Sequence, residues 1–115
     1  MESVILEKVQ GTINRYANSD VFLHLETTNG AYASHNNEST LSAGAYIRNA
    51  QIRYESGKIV GNGPYRVGLK LAIGWVYAEG LTHFEIDDSQ RLLLAGHDAE
   101  GKLAVALEIS PIPFE

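Results

Sequence analysis

Tyr65-Arg66-Val67-Gly68-Leu69-Lys70-Leu71-Ala72-Ile73-Gly74-Trp75-Val76-Tyr77 is the most regular stretch of the chain. Tyr65, Val67, Leu69, Leu71, Ile73, Trp75 and Tyr77 alternate with smaller or polar residues. A period of two places successive side chains on opposite faces of a strand, so the run reads as β-structure. It is longer than a typical strand. Gly68 and Gly74 lie on its lighter face, where missing side chains permit a bend, a bulge or close approach by another backbone. The expectation is one long, bent strand at the centre of a β-rich fold.

Working back towards the start, Ile59-Val60-Gly61-Asn62-Gly63-Pro64 reads as a short strand entering a turn, because Pro64 cannot donate to a ladder. Ala45 to Glu55 reads as a strand closing at Ser56-Gly57-Lys58, and residues 35–44 as a polar loop. Val21, Leu23 and Leu25 alternate with Phe22, His24 and Glu26, a strand that ends at the turn pair Asn29-Gly30 with a return over Ala31 to Ser34. Before it, Ile5, Val9, Ile13 and Tyr16 recur at helical spacing, with Ser3 as the expected N-cap. Gly11 weakens that helix by roughly 1 kcal/mol relative to alanine, so packing must support it.

Working forward, Leu81 to Ile86, Arg91 to His97 and Leu103 to Ile109 read as strands joined by Asp87-Asp88-Ser89-Gln90 and Asp98-Ala99-Glu100-Gly101. The tail Ser110-Pro111-Ile112-Pro113-Phe114-Glu115 cannot be helical, and its Ile and Phe are expected to dock extended on the body. The fold class is mainly β, bordering on α+β. An N-terminal helix packs on a sandwich or partly closed barrel of about seven to nine mostly antiparallel strands.

The 115 residues suit one domain, since a chain of this length buries roughly two thirds of its unfolded surface. A hydrophobic fraction of 44% and a charged fraction of 20% are ordinary globular values, so the chain can offset its ordering entropy. With no cysteine there is no disulfide, no thiolate nucleophile and no cysteine-held metal. The opening residues Met-Glu-Ser-Val-Ile-Leu-Glu-Lys have no basic region leading into an apolar run, and no stretch is long and apolar enough for a membrane helix. A cytoplasmic protein with no membrane partner is expected. A net charge of −5 without a basic cluster opposes binding to phosphate backbones, so nucleic acid is not an expected partner.

Two His-x-Glu pairs, His24/Glu26 and His83/Glu85, carry the chemistry a divalent metal would need, because alternation sets each imidazole beside a carboxylate on one face. In the competing reading Leu23/Leu25 and Phe84/Ile86 take the core side and leave His and Glu on wet faces. Absent that metal, no cofactor is expected. No Gly-x-Ser-x-Gly elbow is present, and Gly61-Asn62-Gly63 lacks the rest of a dinucleotide or phosphate-loop motif. Tyr46, Arg48, Tyr54, Tyr65, Arg66, Trp75 and Tyr77 concentrate in the middle of the chain. Of these, Tyr46, Arg48, Tyr65, Arg66, Trp75 and Tyr77 are the candidates for a small anionic or sugar-like ligand, or for a homodimer interface, since rings and guanidinium groups serve both.

The strings His24-Leu25-Glu26-Thr27-Thr28-Asn29-Gly30-Ala31-Tyr32-Ala33-Ser34-His35, Gly61-Asn62-Gly63-Pro64-Tyr65-Arg66-Val67-Gly68-Leu69-Lys70, Gly74-Trp75-Val76-Tyr77-Ala78-Glu79-Gly80-Leu81-Thr82-His83 and Leu92-Leu93-Leu94-Ala95-Gly96-His97-Asp98 resemble the YojF-like family of small bacillus-type proteins. The resemblance spans nearly the whole chain. It implies an intracellular protein of a Gram-positive bacterium and an association with a LmbE-like sugar N-deacetylase of bacillithiol metabolism, encoded nearby in related organisms. It carries over no catalytic residue, and the chain lacks the deacetylase's own alternation and zinc motif. The reading is a non-catalytic binding or accessory protein. The alternative is a small metal-dependent enzyme using His24, Glu26, His83 and Glu85.

Overall fold

The computed structural model describes residues 1–28 and 44–115. The expected Asn29-Gly30 turn, the return strand at 31–34 and all of the polar loop except Gly44 lie outside the described residues. The elements run β1 (Glu2–Ser3), α1 (Leu6–Tyr16), β2 (Val21–Thr28), β3 (Gly44–Ile52), β4 (Tyr54–Gly61), β5 (Tyr65–Leu71), β6 (Trp75–Leu81), β7 (His83–Ile86), β8 (Leu92–His97) and β9 (Leu103–Ser110). Among the described residues they form a six-stranded sheet of order β1-β7-β8-β9-β2-β3 and a three-stranded sheet of order β4-β5-β6, with every pairing antiparallel. Both sheets are open, which makes the fold a sandwich rather than a barrel. Val67, Leu69, Ala78 and Leu81 of the smaller sheet share one core with Leu23, Leu92, Leu94, Leu107 and Ile109 of the larger, and α1 adds Val9 and Ile13.

The stretch from Tyr65 to Tyr77 is a hairpin and not one bent strand. Its tip is Ala72-Ile73, with the Leu71 amide donating to the Gly74 carbonyl at 3.0 Å and Gly74 at φ +90°. Lys70 faces Trp75 and Gly68 faces Tyr77. The turn reverses the alternation, because Val67 and Leu69 are buried on β5 whereas Ala78 is buried on β6 and Trp75 and Tyr77 are exposed. Ala72 and Ile73 are strand-compatible residues, so the alternation continued through the tip in the sequence while the chain itself turned back. A bulge restores the inward phase: Val67 faces Ala78 but Tyr65 faces Leu81, and Gly80 there has φ +82°.

Two other boundaries differ from expectation. Ala45 to Glu55 is split at Arg53, with β3 ending in the larger sheet and β4 beginning in the smaller. Ser56-Gly57-Lys58 is consequently the middle of β4 rather than a turn, with a register shift between Tyr54 and Ser56. Ser3 does not cap the helix, since its backbone pairs in β1 opposite His83, and Ile5 stands at the N-cap position without a side-chain bond. Val9, Ile13 and Tyr16 are buried as the helical spacing requires, while Ile5 is exposed.

Helix α1 packs along β4. The side-chain amide of Gln10 donates to the Gly57 carbonyl at 2.9 Å and accepts from the Ile59 amide at 3.0 Å, so it pairs with the outer edge of the smaller sheet as a strand residue would. Tyr54 is fully buried, and its hydroxyl donates to the Ile13 carbonyl in the last turn of the helix, one of the carbonyls a helix cannot satisfy itself. Burial, with Tyr16 beside it, pushes the Tyr54 phenol well above its ordinary 10.0. The folded state therefore holds this proton more tightly than the unfolded chain. Its contribution is full below about pH 10 and falls by about 1.4 kcal/mol per pH unit above it. Tyr54→Phe is expected to cost about 1–2 kcal/mol at neutral pH and to remove that alkaline slope. Urea unfolding of both proteins at about pH 8 and about pH 11 measures both effects.

The β7–β8 and β8–β9 hairpins agree with the sequence reading, except that Leu81 ends β6 in the smaller sheet and β7 begins at His83. In each turn an aspartate oxygen collects two amides at 2.9 Å, Asp87 from Ser89 and Arg91, Asp98 from Glu100 and Lys102. The left-handed position that follows is filled by Gln90 and by Gly101.

Candidate functional site

Directly opposed residues in antiparallel strands share a face. One row across the larger sheet reads Arg48, His24, Glu108, Leu93, Glu85, and the next reads Tyr46, Glu26, Ala106, Ala95, His83. Both His-x-Glu pairs thus lie on the face turned from the core, with Leu23 and Phe84 buried on the other. The two pairs do not converge, because β8 and β9 separate β7 from β2. Three strand spacings are about 14 Å, beyond the reach of one ion. Among the described residues no group of three or more His, Asp or Glu side chains is placed to hold a metal. His83 instead meets the Thr82 hydroxyl, 2.7 Å from its Nδ1, and the His97 ring, with centroids 5.7 Å apart.

His24 is not on a wet face. Only 5% of it is exposed, because Tyr46 and Phe114 stand edge-on to its ring at centroid distances of 5.2 and 6.2 Å. Its Nε2 lies 3.2 Å from Glu26 Oε1, and its buried Nδ1 has no hydrogen-bond partner among the described residues. Arg48 lies 3.7 Å from Glu108 and donates to the Glu115 carbonyl at 3.2 Å. The cover comes from the tail, and only half as expected: Phe114 is buried, but Ile112 is 50% exposed. Sequence reasoning missed Asn49, which holds the tail in place. The β2–β3 register skips it between Ala50 and Arg48, and it sits at φ +60°. Its residue type was the available signal, since asparagine tolerates the left-handed region better than most.

The remaining candidates lie on the hairpin of the smaller sheet, so the six residues form two groups on two different sheets. Tyr65 turns inward and packs against the core. Arg66 turns outward, 3.8 Å from Glu79. Trp75 and Tyr77 are each 54% exposed, with near-parallel rings (11°) and centroids 5.6 Å apart. The Tyr77 ring lies over Gly68, where a Cβ would come within 2.9 Å of it. Ile73 at the tip is 93% exposed. Lys70 lies 4.0 Å from Glu55 beside this patch. Here the chain offers an aromatic contact surface framed by charge.

A family model described as a protein of unknown function (DUF1806) matches residues 3–114. The uncharacterized protein YojF of Bacillus subtilis (strain 168) is 54% identical over 114 residues, covering 99% of this chain and 98% of that protein. The crystal structure of Bacillus subtilis YojF superposes with a TM-score of 0.81 at 48% identity, over 99% of this chain and 96% of that one.

Proposed function

Since the chain belongs to the DUF1806 family of proteins of unknown function, we propose that it is a non-catalytic binding or accessory protein that pairs into a homodimer through the outward face of its β5–β6 hairpin. The observation that carries the reading is the half-exposed Trp75–Tyr77 pair, continued by Ile73 at the tip. Aromatic residues of this kind are enriched at interfaces, and leaving them in water forgoes the free energy of burying apolar area. Arg66, Glu79, Lys70 and Glu55 supply a polar rim. By resemblance to the YojF-like family, the protein acts beside a LmbE-like sugar N-deacetylase as a helper.

Trp75 is the sole tryptophan, so its emission reports on this face directly. A dimer by light scattering, with emission shifting to the blue as concentration rises, is the expected result. Trp75→Ala/Tyr77→Ala is expected to yield a folded monomer, with stability within about 1 kcal/mol of the parent because the rings are half in water. A strict monomer with concentration-independent emission would exclude the dimer. Failure to co-purify with the deacetylase, or to change its rate, would exclude the helper role.

A further inference from the structure

The chain beyond β9 is built into the sheet as a bound peptide would be. Ser110 ends β9, and its Oγ accepts from the Ile112 amide and donates to the Ile112 carbonyl, which turns the strap over the outward face of the larger sheet. Asn49 then reads one residue at both of its backbone groups: its Nδ2 donates to the Phe114 carbonyl at 2.7 Å and its Oδ1 accepts from the Phe114 amide at 2.6 Å. The Phe114 ring lies beneath the guanidinium groups of Arg48 at 4.5 Å and Arg91 at 5.3 Å, with His24 at its edge. Arg48 also reads the next carbonyl, that of Glu115. A left-handed asparagine at a strand irregularity, two cations and an imidazole thus converge on one aromatic residue.

We propose that this slot is a recognition site for an extended peptide segment bearing an aromatic residue, closed in cis by the chain's own residues 111–115 and available to a partner segment of the same pattern. The backbone contacts are indifferent to which chain supplies the N–H and C=O, and the ring contacts require only an aromatic side chain. The cis strap does not use everything the slot offers. Among the described residues the buried His24 Nδ1 stays without a partner beneath it, an unmade hydrogen bond that weakens the closed state and favours a competitor supplying a donor. The site is independent of the hairpin face, and so is its test.

The test titrates a fluorescein-labelled peptide Pro-Ile-Pro-Phe-Glu into full-length Phe114→Ala, whose ring pocket is emptied and whose strap is left with its backbone bonds to Asn49. Saturable binding is expected, lost when the peptide carries alanine for phenylalanine and lost in the double variant Phe114→Ala/Asn49→Ala. Wild-type protein should bind at least about tenfold more weakly, because its own strap competes at an effective concentration in the millimolar range. Carbethoxylation of His24 by diethyl pyrocarbonate should be faster in the emptied variant than in wild type, and slowed again by peptide. If Phe114→Ala does not fold, Phe114→Leu replaces it, keeping apolar bulk without the ring. No saturation up to millimolar peptide, or binding that survives loss of Asn49, would overturn the proposal.

Discussion

Gly96→Ala is expected to destabilise the protein by more than about 3 kcal/mol and to reach the insoluble fraction on expression. Gly96 lies in β8 where β6 crosses it, and a Cβ built there would stand 1.9 Å from the Gly80 carbonyl oxygen and 3.0 Å from a Val105 methyl. The first obstacle is backbone, which cannot rotate aside as a side chain can. The two sheets would have to separate along a core that holds Leu81, Leu94 and Leu107, each fully buried. Domains of this kind have about 5–15 kcal/mol in total, so most of the stability is at stake. Chemical denaturation of whatever fraction remains soluble measures the loss, and a midpoint close to the parent's would show that the crossing is looser than this contact requires.

Gly57→Ala is the second large effect, expected at about 1–3 kcal/mol. Here the added Cβ would meet the Ile13 Cγ2 at 2.6 Å and the Leu69 Cδ2 at 2.7 Å, both on fully buried side chains. These are side-chain ends, so they can yield by rotating into less favourable rotamers, and the cost is accordingly smaller than at Gly96. The displacement would lift α1 from β4 and stretch the bonds between Gln10 and the strand. Loss of amide exchange protection at Ile59 should therefore exceed that at Leu107, deep in the larger sheet. Equal losses at both positions would mean that the helix does not take up the strain.

The strands were legible wherever one face met the shared core and the other turned from it, because burial then writes a period of two into the sequence. Val21 to Glu26, the two C-terminal hairpins and the helix face at Val9, Ile13 and Tyr16 all show it. Two of the failures, at residues 72–73 and at Arg53, share one cause, which is that periodicity registers faces and not direction. Ala72-Ile73 keeps the alternation while the chain reverses, and Arg53 keeps it while the chain changes sheets. At the candidate sites, the outward placement of all four His and Glu residues was readable from their neighbours. Their separation was not, because it depends on β8 and β9 entering between β7 and β2. Nor was the burial of His24, whose cover arrives from Phe114, ninety residues further along the chain.

The pairing of Gln10 with β4 has a consequence for how copies of this protein can meet. An uncovered border strand is a template on which further chains add without limit, and small β-proteins need some device against it. By occupying the Gly57 carbonyl and the Ile59 amide, Gln10 removes two of the points at which an incoming strand would register. Assembly along that border would first have to dislodge the helix. Any association of copies would thereby be directed towards side-chain faces, where two-fold contact closes on itself and growth stops at a defined number of chains.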